Sequence, residues 1–186
     1  YFERSYLFGE PLPPIDVLFW NTDTTRMPAA MHSFYLREMY LNNNLIKRDA
    51  LTIAGEPIDL DRITQPLYAV GAEDDHIVPW RQSYKIRRYV NIKAPVRYVL
   101  TTSGHIFGIV NAVVTPPRRS FWVAAPERNE SNEHWLARAD RKAGSWWEDW
   151  LDWLSPQCGP LVAPPDIDAE VDPELGAAPG TYVFEK

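Results

Sequence analysis

Apolar and polar positions along the chain switch between helical and strand-like periods, and the switches predict the elements. Residues 1–27, with "PLPPIDVLFWNTDTTRM", hold neither period and read as irregular. From Pro28 to about Asn44, Met31, Phe34, Tyr35 and Met39 fall near helical spacing behind a first-turn proline, which predicts an amphipathic helix ended by the asparagine run. "LTIAGEPIDLDRI", Leu51 to Ile63, predicts a short strand or hairpin around Gly55-Glu56-Pro57, polar enough to be an edge. The run Pro66 to Val70, closed by Gly71, predicts a strand buried on both faces. A helical stretch Arg81 to Val90 and a second strand, Val96 to Thr102, follow. Strand, helix, strand at this spacing predicts a right-handed βαβ unit in a parallel sheet.

Beyond "SGHIFGIVN" the Pro-rich, charged "TPPRRSFWVAAPERNESNE" predicts a loop. "SWWEDWLDWLS" predicts a last helix with Ser145 as cap, Glu148 completing a capping box, and Trp147, Trp150, Leu151 and Leu154 on one face. That face reads as core or interface. From Ser155 the tail is Pro-rich and acidic and is expected to lie over the surface.

Composition narrows what such elements can do. The 186 residues are 45% apolar, enough for one packed domain. Net charge is −6 with both signs interspersed and no basic block, which argues against a nucleic-acid surface, so any anionic ligand must be met locally. No apolar run approaches the roughly 18 residues that span a bilayer, and the opening "YFERSYLFGEP" has no leader character. One cysteine, Cys158, can form neither an intramolecular disulfide nor a zinc site alone, which fits a reducing cytoplasm. The chain opens on Tyr1 and is expected to begin inside a longer protein.

Chemistry concentrates in two loops at predicted strand ends. "GAEDDH" follows the first strand and "SGHIFG" the second, and parallel sheets gather ligands outside the carboxyl ends of their strands. Asp75 and His105 can therefore meet as an acid–imidazole pair, the acid fixing the tautomer and leaving the other nitrogen as a general base. Their order along the chain is that of the last two members of an α/β-hydrolase triad. Gly104 and Gly108 would allow a tight loop and close approach of a substrate. Against this, Asp74 or Asp75 can simply cap the next helix, and a histidine in a glycine loop can be structural. His76 is expected to support the turn, and His32 and His134 to be surface or packing histidines. No Gly-x-Ser-x-Gly or Gly-x-Cys-x-Gly occurs, and Cys158 in "SPQCGP" fails both the order and the strand-turn-helix context of a nucleophile.

"DVLFWNTDTTRMP", "FYLREMYLNNNLI", "EDDHIVPW", "SGHIFGIVN" and "GSWWEDWLDWL", in this order, resemble the C-terminal part of class I polyhydroxyalkanoate synthases, from about Tyr1 to Lys186. The resemblance implies an α/β fold: the C-terminal portion of an α/β-hydrolase core, a parallel sheet with flanking helices, preceded by part of a cap. Residues 1–45 would belong to that cap, 46–155 to the core and 156–186 to the tail. The implied chemistry is polymerisation of (R)-3-hydroxyacyl-CoA, 3-hydroxybutyryl-CoA first among them, with release of CoA through a Cys-Asp-His triad. Motif matching makes Asp75 the acid and His105 the base, and sets the cysteine before Tyr1. It displaces Glu73 and Asp74 and leaves Trp20, Asp23 and His76 as substrate or cap positions. No cofactor or metal is implied, since CoA belongs to the substrate. The implied partners are the growing polyester, a second copy in a homodimer and granule surface proteins, at cytoplasmic granules. Two other expectations stand beside it: an esterase or depolymerase with an upstream serine, and a non-catalytic cap or dimerisation module.

Overall fold

The computed structural model describes residues 3–11 and 26–164. Helices and a mixed sheet make an α/β fold. After α1 (Ala29–Tyr35), which runs on as a π-helical turn Leu36–Leu41, comes a hairpin of β1 (Leu51–Ile53) and β2 (Glu56–Ile58). Ala54 and Gly55 turn it at φ 52° and 85°, the left-handed pair a two-residue hairpin requires. The main sheet has order β3 (Leu67–Ala72), β4 (Val96–Thr101), β5 (Ser120–Ala124), β6 (Asp140–Ala143). Two four-residue helices, α2 (Trp80–Ser83) and α3 (Ile86–Tyr89), connect β3 to β4; α4 (Asn132–Arg138) connects β5 to β6, and α5 (Trp146–Leu154) follows.

Alternation along β4 sends its side chains into two cores. On one face Tyr98 and Leu100 pack with Trp80, Tyr84 and Trp135. Tyr98 is fully buried, its ring edge-on to Tyr84 and Trp135 at 5.2 and 5.1 Å between centroids. Its hydroxyl is satisfied by Ser83 Oγ at 2.8 Å and the Trp80 carbonyl at 3.1 Å, as a buried polar group must be. On the other face Val99, Phe121 and Val123 pack with Tyr68 and Trp146, the latter the first residue of α5. Helical side chains thus cover both faces of the sheet.

Several expectations change. The sheet is mixed: β3 and β4 are parallel, but β4–β5 and β5–β6 are antiparallel. Thr101 pairs with Phe121 and Val123 with Asp140, so each long connection leaves and re-enters the sheet at one end and acts as an extended hairpin. The segment read as loop, residues 115–133, contains β5 and the first residues of α4, and the rest of α4 and β6 follow in a stretch for which no element is expected. Flanking prolines hid the alternation of Phe121 and Val123, which are buried, and every residue of the charged β6 is exposed, as suits a sheet edge. The β1–β2 hairpin forms its own sheet rather than an edge of the larger one. β3 is outermost, and its first four residues are only half-buried.

Helix α5 turns a different side inward from the one expected. Ser145 caps it by accepting from the Trp147 N–H at 3.1 Å, and among the described residues no Glu148 bond returns to Ser145. Trp146, Asp149 and Trp153 face the sheet, while Trp147, Trp150 and Leu151 stay exposed. The reason is Asp149, whose buried carboxylate accepts from Arg97 Nε at 2.8 Å and Nη2 at 2.5 Å, from the Tyr68 hydroxyl at 2.9 Å and from Lys142 Nζ at 3.2 Å. Burial works against its ionisation, but the bonds from Arg97, Tyr68 and Lys142 prevail and hold its pKa below the usual carboxylate value. Asp149→Asn should cost about 2 kcal/mol by urea unfolding at neutral pH, less than the roughly 3–5 kcal/mol of a fully buried pair because Arg97 is partly exposed. The pKa is lowered in the folded chain, so this stabilisation is complete above the ordinary aspartate pKa and fades as pH falls through the native one. Equal unfolding midpoints for the two chains at neutral pH would remove Asp149 as the anchor of α5.

Candidate active site

The parallel register runs from Leu67 opposite Val96 to Ala72 opposite Thr101, so β3 and β4 end side by side. The loops beyond are laced together by backbone. The Glu73 N–H donates to the Thr101 carbonyl at 2.8 Å and the Asp74 N–H to the Ser103 carbonyl at 3.1 Å. Ser103 adopts φ 93°, a conformation costly for a residue with a side chain, so the turn into His105 stores strain that these bonds hold in place.

This lacing brings Asp75 against His105. Asp75 Oδ2 lies 2.9 Å from His105 Nδ1, while its Oδ1 accepts from the backbone N–H groups of Ile77 at 2.9 Å and Val78 at 2.8 Å. The acid therefore supports its own turn and orients the imidazole at once. Its side chain is 8% exposed and that of His105 is 44% exposed. The Val78 N–H holds the Asp75 carboxyl below its usual value, burial opposes this, and the His105 and Ile77 bonds add to the lowering. An ionised acid on Nδ1 makes that nitrogen the donor and leaves Nε2 free to take a proton.

The His105 turn is held from three directions. Within it, the Gly108 N–H donates to the Gly104 carbonyl at 2.8 Å and the Val110 N–H to the Ile106 carbonyl at 2.8 Å. Below it, a Cβ on Gly108 would stand 2.4 Å from the Ala72 Cβ, so the packing of the turn on β3 requires glycine here. Behind it, Trp146 Nε1 donates to the Gly108 carbonyl at 3.1 Å, Trp147 Nε1 to the Ile109 carbonyl at 3.0 Å, and Ser145 Oγ to the Asn111 carbonyl. Arg119 Nη1 donates to the Phe107 carbonyl at 2.6 Å. Around the pair Ile77, Val78, Ile106, Phe107 and Val110 remain exposed, an apolar rim that invites cover.

The other expected positions fall elsewhere. Glu73 and Asp74 join the site through backbone alone, their side chains exposed. His76 is exposed beside Asp75, with no hydrogen bond or ion pair among the described residues. His134 lies 3.1 Å from Glu130, on the far side of α4's cap, and His32 is exposed on α1. Trp20 and Asp23 lie outside the described residues. Cys158 is exposed after α5, its thiol 3.5 Å from the Leu154 carbonyl. Among the described residues no cluster of three or more His, Cys, Asp and Glu is placed to hold a metal ion. The sequence reading missed Ser103, Arg119 and the tryptophan N–H donors; of these, only the adjacency of the tryptophans to a serine cap was a visible signal. Titrating Asp75 by carboxyl NMR should give a midpoint below 3.8, with the His105 pairing intact down to that point and lost as pH falls through it. A midpoint at or above the ordinary value would contradict the bonding described.

No protein-family model matches the chain. It is similar over all its length to curated proteins: 41% identical over 192 residues to poly(3-hydroxyalkanoate) polymerase subunit PhaC of Cupriavidus necator, 39% over 188 to that of Rhizobium etli, and 37% over 187 to poly(3-hydroxyalkanoate) polymerase 2 of Ectopseudomonas oleovorans. The alignments cover 31%, 28% and 32% of those proteins, so the chain spans about a third of the length of the relatives it matches. No helix among the described residues is long and apolar enough to cross a membrane. Over its whole length, at 37–41% identity, the chain is similar to about a third of each of these poly(3-hydroxyalkanoate) polymerases.

Proposed function

We propose that this chain is the C-terminal portion of an α/β-hydrolase-type acyltransferase and supplies the acid and base that polymerise (R)-3-hydroxyacyl-CoA, with release of CoA. The observation that carries the reading is the Asp75–His105 pair at adjoining parallel strand ends, its free imidazole nitrogen set among exposed apolar side chains. The third member is a cysteine from outside these 186 residues. A thiol with a pKa near 8.5 is only a few per cent thiolate at neutral pH, so it needs a neighbouring base.

His105 Nε2 takes the thiol proton, and the thiolate attacks the thioester carbonyl of the monomer. The acyl–S(CoA) bond breaks, and the imidazolium returns its proton to the departing CoA thiolate. In elongation the same nitrogen takes the proton of a 3-hydroxyl, whose oxygen attacks the enzyme-bound thioester; the ester bond forms as the acyl–cysteine bond breaks, and the imidazolium returns its proton to the released cysteine thiolate. Asp75 keeps Nδ1–H pointing inward and stabilises the imidazolium in both halves. The rim of Ile77, Ile106 and Phe107 suits short acyl chains and an emerging polyester. The reading extends to a homodimer acting at polyester granules in the cytoplasm.

Within a complete enzyme carrying this segment, His105→Ala should reduce polymer formation by at least a thousandfold, while His134→Ala, whose ring is 72% exposed, should stay within about twofold. Equal losses in a CoA-release assay would refute the assignment. Asp75→Asn should slow elongation by roughly a hundredfold or more, yet leave some acylation of the cysteine measurable by mass spectrometry. The 186-residue chain alone should release no CoA from 3-hydroxybutyryl-CoA; turnover by it would overturn the external nucleophile.

A further inference from the structure

A second polar feature shares the sheet end with Asp75 and His105. Thr101 pairs with Phe121, and Ser120 pairs with Ala143, so the start of β5 and the end of β6 open on the same edge as the His105 turn. Between them lies a cavity of about 220 Å³ lined by Phe107, Val110, Asn111, Arg118, Arg119 and Ser145, among others. Its volume is below the roughly 300–1,000 Å³ of a pocket that swallows a whole drug-sized ligand, so it suits one functional group of a larger molecule.

The chemistry of the walls selects that group. No carboxylate is among the lining residues, although the chain carries net charge −6. Two guanidinium groups are. Arg119 spends Nη1 on the Phe107 carbonyl and stacks at 5.3 Å over the Phe107 ring, while Arg118 is exposed with no ion pair among the described residues. Ser145 caps the nine-residue α5, so the start of that helix lies at the cavity, with Glu148 and Asp149 in its first turn but not among the lining residues. Asn111 is 3% exposed, and its Nδ2 is a buried donor with no partner among the described residues, an arrangement that costs about 1–3 kcal/mol unless an acceptor arrives. Among the described residues no group pairs with this Nδ2, and Ser145 bonds the Asn111 backbone carbonyl.

We propose that this cavity is a phosphoryl-binding site, with Arg118, Arg119, the Asn111 amide and the start of α5 as its donors, and that during acyl transfer it takes a phosphate of the CoA moiety. A phosphate oxygen satisfies the orphaned amide, and the forked guanidinium groups match its geometry. Adjacency of the site to the His105 turn through Phe107 would tie recognition of the CoA end of the substrate to the placement of the base. The assignment to CoA rests on the acyl-transfer reading above; the phosphoryl site does not.

The test is calorimetric titration of the 186-residue chain at low salt with inorganic phosphate, adenosine 3′,5′-bisphosphate and adenosine. Adenosine 3′,5′-bisphosphate should bind at least about tenfold more tightly than inorganic phosphate, adenosine should not bind, and added salt should weaken both anions. Arg118→Gln, a surface change with no effect on the core, should weaken the bisphosphate by about tenfold, and Asn111→Ala by a similar factor. Binding unchanged in Arg118→Gln, or absent for both anions with near-UV circular dichroism showing a folded chain, would overturn the site. Equal affinity for the two anions would overturn its assignment to CoA. No arm requires turnover, so the site can stand where polymer synthesis fails and fall where synthesis succeeds.

Discussion

The parallel pairing of β3 and β4 is the constraint from which the site follows. With Ala72 opposite Thr101, the acid stands three residues beyond one strand end and the histidine four beyond the other. A slip that kept the same faces inward would move the strands by two residues, about 6.6 Å, and part the two side chains completely. Tyr98 opposes such a slip. Its hydroxyl reaches Ser83 and the Trp80 carbonyl through space that exists because residue 71 is glycine: a Cβ there would stand 2.2 Å from the Tyr98 oxygen. The helical connection, the strand register and the absence of one side chain are thus a single packing solution.

The histidine turn also depends on α5, from the opposite face. Asp149 fixes the helix to Arg97 of β4 and Tyr68 of β3, the two strands that lead into His105 and Asp75. Ser145, Trp146 and Trp147 then reach successive carbonyls of the turn at Asn111, Gly108 and Ile109. Orientation of the helix is settled by a buried charge, and a tryptophan-rich surface is left facing outward. Val113, Trp147, Trp150 and Leu151 line an open apolar cavity of about 490 Å³ there.

How much of this the residues declare depends on the range of the forces involved. β3, β4 and the hairpin were legible because their signals are local: short apolar runs bounded by Pro66, Gly71 and Pro95, and a turn that needs Gly55. Asp75 and His105 were legible because strand-end loops have a predictable meeting place. β5 was hidden, since Pro117, Arg118 and Arg119 before it and Pro126 after it drown five alternating residues, and β6, all exposed, has no hydrophobic signature at all. The buried side of α5 could not be read from apolar residues because an aspartate decides it. Periodicity counts hydrophobic side chains and is blind to a carboxylate held by three donors.

The two margins of the main sheet differ in a way that matters for handling the segment. β6 closes its side with Asp140, Arg141 and Lys142, charges that discourage another chain from adding on. β3, at the opposite margin, reads Leu-Tyr-Ala-Val-Gly-Ala, with no charge and no strand beside it among the described residues. Among the described residues the sheet is charged on one border and uncharged on the other. Inside a larger fold the uncharged border is where further strands would stack. Outside one, the same border carries no charge to discourage pairing with another chain, whatever the overall negative charge.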